Sequence, residues 1–190
     1  VTFPTPSMKK VQARFSELGI RVRSVHRAKD PARMVREAEA LCVGGRQHLR
    51  AGKKDAGTGL MAAILRKIKP GLPMSLVGGQ QRGMSHHLHH KRHAHRRAAV
   101  VQAVGAVKFQ INPHYLDANP EGHAGETREQ RILEYIEANP RRWVAGLREG
   151  CMLRHAEGKL ELIGKRPMRM FRKGTEPFEV QPGSDLSFLL

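Results

Sequence analysis

Strand-like and helix-like runs alternate along most of this chain, and that order restricts it to α/β architectures. Met8 to Leu18 repeats its apolar residues at helical spacing, with Gly19 as the stop, and Ile20 to Val25 then alternates as a strand does. Asp30 and Pro31 cap a helix running to about Ala40, and Leu41 to Val43 reads as a short buried strand. Leu60 to Ile68 is an amphipathic helix ended by Pro70 and Gly71, and Met74 to Val77 is the next strand. Further on, Val107, Phe109 and Ile111 alternate, Glu126 or Thr127 opens a helix that stops at Asn139 and Pro140, and Trp143 to Leu147 is a strand. Paired strands fill the chain from Met152 to its end. The succession predicts a doubly wound, mostly parallel sheet with flanking helices and a C-terminal β-hairpin. At 190 residues the chain bounds one domain, large enough for a real core.

The densest chemistry lies between Phe109 and Ile132, in FQINPHYLDANPEGHAGETREQRI. His114 follows Asn112 and Pro113 at the end of an alternating run, where a strand delivers a side chain to the rim of its sheet. Arg128 and Arg131 are three residues apart at the start of a helical pattern, close enough to share a face. A single histidine or arginine in such a setting is more often an exposed surface group than a functional one. A histidine, several carboxylates and two arginines in one turn-rich string read instead as part of an active site.

This string closely resembles the peptidase E family, the aspartyl dipeptidases that cleave dipeptides with an N-terminal aspartate. The resemblance continues through GLREG (Gly146 to Gly150), similar to the family's GLPEG, and FRKGTEPFEV (Phe171 to Val180), similar to its closing hairpin. Earlier, LGIRVRSVHRAKDP from Leu18, VREAEALCVGG from Val35 and TGLMAAI from Thr58 also match. The resemblance implies a serine-type hydrolase of α/β fold whose nucleophile sits on a sharp strand-to-helix turn. It implies His114 as the catalytic base and Arg128 as the guanidinium that holds the substrate's aspartate side chain. Glu126 and Thr127 are expected to shape that pocket. The implied partner is a small dipeptide, with no cofactor, no nucleic acid and no membrane. The chain begins at Val1 and its match starts inside the family's N-terminal region, so the first strand and its helix are expected to be missing.

Between Val77 and Gly105 the chain departs from the family pattern. There the family carries a GWSAG nucleophile turn and then TTNDMPIV, with the triad's aspartate; this chain reads GGQQRGMSHHLHHKRHAHRRAAVVQAV, and GxSxG occurs nowhere. Charge marks the same region: residues 45–107 carry 12 Lys and Arg against one acid, Asp55, while residues 108–190 carry 13 against 12. Seven of the 11 histidines lie in 45–107. Such a break within one α/β domain is either an inserted binding segment or an error of reading frame. Back-translation with permitted codons favours the second. If His89 to Arg96 are encoded CAC CAC AAA CGA CAT GCC CAT CGT, a choice the degenerate code allows, and C opens the next codon, the frame one base further in reads TTNDMPIV. Arg46 to Lys53 can likewise be encoded CGG CAA CAC CTT CGA GCT GGT AAA, which one base in becomes GNTFELV and after VGG resembles the family's VGGGNTF turn. Residues 45–57 and 78–104 are therefore expected to be out of frame.

Two rival functions remain. His86, His87, His89, His90, His93 and His95 form a tract able to bind Zn, Ni or Cu, although the codon reading explains the tract without a role. A net charge of +17 suggests a nucleic-acid binder, but aromatics make up only 5% and the charge is concentrated in the suspect region. Cys42 and Cys151 are too few for a disulfide framework or a zinc site, no apolar stretch reaches membrane-spanning length, and a cytoplasmic location is expected.

Overall fold

The computed structural model describes residues 5–25, 28–43, 59–68, 72–76, 87–88, 101–102, 107–118, 122 and 125–190. Two compact units divide the chain, Val1–Gln80 and Gln81–Leu190.

The first unit runs α1 (Thr5–Ser16), α2 (Pro31–Arg36), β1 (Leu41–Val43), α3 (Leu60–Ile68) and β2 (Met74–Leu76). Helix α1 stops where expected. Gly19, at φ +70°, donates its N–H to Ser16, and the Ile20 N–H returns to the Phe15 carbonyl, so the last carbonyls of the helix are satisfied. That return also explains why Ile20–Val25 forms no strand. Its first donor is committed to the helix end, and residues 20–24 pair with no strand among the described residues. The Asp30 side chain accepts from the Arg33 N–H at 2.8 Å and Pro31 opens the first turn of α2, as the cap predicts. The helix ends four residues early, at Arg36 rather than about Ala40, because the chain must extend for Leu41 to donate to Pro73 and enter β1. Strands β1 and β2 are parallel, with Leu41 opposite Met74, and α3 connects them. Ala32 and Val35 of α2 pack with Ala63 and Ile64 of α3 to make the core of this unit.

In the second unit, the short strands β3 (His87–Leu88) and β4 (Val101–Gln102) pair antiparallel. Then come β5 (Gln110–Pro113), α4 (Arg128–Ala138), β6 (Val144–Leu147), β7 (Met152–Ala156), β8 (Lys159–Ile163), β9 (Met168–Arg172), β10 (Thr175–Val180) and a 3-10 turn at Ser187–Leu189. The main sheet has the order β10-β9-β6-β5. Strands β5 and β6 are parallel and joined through α4, whereas β9 and β10 form the C-terminal hairpin and add antiparallel. A helix therefore links the strands of both parallel pairs, and the chain is α/β. The connections through the middle of the chain lie outside the described residues.

Strand β6 is buried at every position because the sheet is covered on both faces. On one face Val144 and Phe171 pack with Ile132 and Ile136 of α4. On the other, Ala145, Leu147, Met168 and Met170 meet Leu160 and Leu162 of the β7–β8 hairpin and Leu186 and Leu189 near the C-terminus. That hairpin turns at Glu157 and Gly158, both at positive φ, as a tight two-residue connection requires.

Candidate active site

Four register pairs, from Gln110 with Val144 to Pro113 with Leu147, bring the carboxyl ends of β5 and β6 side by side. In open α/β sheets, ligands sit beyond these ends. His114 is the first residue past β5 and holds φ +56°, a left-handed conformation that costs a non-glycine residue energy and concentrates at functional sites. The next residue locks it in place. Tyr115 donates its N–H to the Leu147 carbonyl at 3.0 Å and buries its ring, with Phe171 5.7 Å away between centroids and the Arg148 guanidinium 5.2 Å over its face.

Beyond β6 the chain makes a tight turn, Arg148 to Cys151, closed by the Cys151 N–H on the Arg148 carbonyl. Gly150, at φ +79°, supplies the left-handed third position that a type II turn demands. Glu149, the second position of that turn, reaches across to His114, with its Oε1 2.8 Å from Nδ1. A carboxylate on Nδ1 requires the proton there and leaves Nε2 with a free lone pair, the tautomer a general base needs. The sequence reading missed Glu149 and expected the orienting carboxylate from the aspartate of the family's TTNDMPIV segment, whose counterpart at residues 89–96 lies outside the described residues. The available signal for Glu149 was its position two residues past the end of a strand parallel to the one that delivers His114.

Behind this pair lies an ionic network centred on a buried arginine, which the sequence reading also missed. Arg148, 9% exposed, donates to Asp117, Glu179 and the Pro167 carbonyl. These hydrogen bonds hold the Asp117 and Glu179 carboxyls below their ordinary pKa, and the two carboxylates push the Arg148 guanidinium further up. Arg169 shares Glu179 at 3.3 Å and pairs with Glu129 at 3.3 Å. Glu129 in turn accepts from the Tyr115 hydroxyl at 2.7 Å; burial first, and then this carboxylate, push the tyrosine pKa up.

The arginine segment opens α4. Thr127 is the N-cap: its hydroxyl accepts from the Gln130 N–H at 3.0 Å while the Gln130 side chain accepts from the Thr127 N–H at 2.7 Å, a reciprocal capping box. Glu126 pairs with Arg131 at 3.3 Å. Arg128, half-buried, is the first helical residue, adjacent to the Glu129 that Tyr115 bonds. The first turn of α4 is thus tied to the residue that follows His114.

Among the described residues, no group of three or more His, Cys, Asp or Glu side chains converges to hold a metal ion, and no helix is long and apolar enough to cross a membrane. The His86 to His95 side chains lie outside the described residues, as do residues 45–57.

Comparison with known proteins identifies the family. The model for "Peptidase family S51" matches residues 4–163. A peptidase E of Streptomyces coelicolor is 40% identical over 186 residues, covering 95% of this chain and 75% of the relative. That of Citrobacter koseri is 33% identical over 178 residues, covering 92% and 76%, and that of a Nostoc species 31% identical over 186 residues, covering 96% and 76%.

Proposed function

The chain belongs to peptidase family S51, and we propose that its architecture serves serine-type hydrolysis of dipeptides with an N-terminal aspartate. The peptidase E relatives support a peptidase. The observation that carries the finer reading is the His114–Glu149 pair, a base and its orienting carboxylate, beyond the carboxyl ends of two parallel strands. In this reading Nε2 of His114 takes the proton of a serine hydroxyl as that oxygen attacks the scissile carbonyl. Glu149 stabilises the imidazolium that results, and His114 then passes the proton to the departing amine. Water repeats the cycle on the acyl-enzyme. The Arg128 guanidinium receives the substrate's side-chain carboxylate through a two-pronged hydrogen bond. Thr127 fixes the helix start, and so where Arg128 stands, and Glu126 holds Arg131 beside it.

The attacking serine belongs to the turn that the sequence lacks, so the 190-residue chain as written is expected to release no aspartate from Asp-Leu. Restoring the shifted frame and the GxSxG turn is expected to restore release. In that restored chain, H114A lowers kcat by about a thousandfold or more. R128A raises KM by roughly 10- to 100-fold, the worth of one charged hydrogen-bond pair. Asp-Leu turnover by the chain as written would overturn the account of the missing serine, full activity in restored H114A the role of His114, and no turnover by the restored chain the proposed function itself.

A further inference from the structure

Arg148 has no donor left for a substrate. A guanidinium carries five N–H groups, and here Nε and Nη2 donate to Asp117, Nη1 and Nη2 to Glu179, and Nη1 to the Pro167 carbonyl at 2.7 Å. Its partners lie on three separate segments. Asp117 is three residues past His114 on the chain leaving β5, Pro167 immediately precedes β9, and Glu179 lies on β10. Arg148 itself immediately precedes Glu149 and opens the turn that carries it. One buried side chain therefore fastens the segment after the imidazole to the turn that bears its carboxylate.

Glu149 needs such a fastening. Its side chain is 72% exposed and that of His114 49%, and an exposed ion pair is too weak to fix its own geometry against solvent. We propose that Arg148 is a positioning residue for the His114–Glu149 pair: by clamping Asp117 and Glu179 together it sets the turn from which Glu149 reaches Nδ1. The proposal rests on reading that pair as base and orienter. A lysine in its place keeps the charge but loses the planar fork and two of the five donors.

The tautomer of His114 reports the contact directly and needs no hydrolytic activity. In long-range proton–nitrogen NMR spectra of the full chain, with the His114 signal assigned by its loss in H114Q, the neutral imidazole is expected to carry its proton on Nδ1. E149Q defines the spectrum of the broken contact. R148M is expected to produce at least half of the E149Q shift while retaining cooperative melting, R148K an intermediate shift, and R148M/E149Q no more than E149Q alone. If R148M does not fold, R148K and D117N carry the same comparison. A folded Arg148 or Asp117 variant with the native His114 spectrum would overturn the positioning role alone. A native spectrum without the Nδ1 proton would overturn both this role and the base-and-orienter reading beneath it.

Discussion

Asp117 and Glu179 answer to one guanidinium, and acid should expose that dependence. Hydrogen bonds from Arg148 lower both carboxyls from ordinary values of 3.8 and 4.5. A carboxyl lowered in the folded state contributes stability that is complete above its unfolded pKa and lost as pH falls through the lowered folded value. Melting temperature is therefore expected to fall between about pH 5 and pH 3, and to fall less steeply in D117N/E179Q, because the unfolded chain no longer takes up those two extra protons. Equal slopes in the two proteins would mean that the network adds nothing to acid stability. Arg148 stays charged throughout, since its own shift is upward. At this scale the motif singled out His114 and Arg128 as expected site residues. Glu149 and Arg148 were not singled out, because GLREG reads as an exposed turn until a parallel neighbour places it against His114.

Strand β6 determines how tightly the site's elements approach one another. A Cβ added at Gly146 would lie 2.9 Å from two Tyr115 ring atoms and 3.2 Å from the Arg169 carbonyl, and that ring is buried with its hydroxyl bonded to Glu129. G146A is expected to destabilise the chain by about 1–3 kcal/mol through overpacking. The urea midpoint checks this, and an unchanged midpoint would show that the ring moves aside freely. Elements were most legible where the local signal and the tertiary need agree. Leu60 to Ile68 forms the helix its periodicity predicts, Thr127 caps α4, and Gly19 ends α1. Ile20 to Val25 has strand alternation too, but alternation states only which faces differ and supplies no partner for the backbone.

For the whole molecule, the largest open prediction concerns the gene. If residues 46–53 and 89–96 are out-of-frame readings of GNTFELV and TTNDMPIV, resequencing the DNA will find compensating base changes flanking them. An uninterrupted gene that encodes HHLHHKRHAHRR in frame would refute this account and return the histidine tract to consideration as a metal ligand set. The sequence by itself determined the α/β class, the helix caps and stops, and the residues that carry the family's pattern, because these depend on local periodicity and on side-chain type. Tertiary structure alone decided which carboxylate meets His114, that Arg148 lies buried with its donors filled, and that β9 and β10 join β6 antiparallel. Those outcomes depend on pairing and burial between segments tens of residues apart, and periodicity within one segment carries no record of the neighbour it will meet.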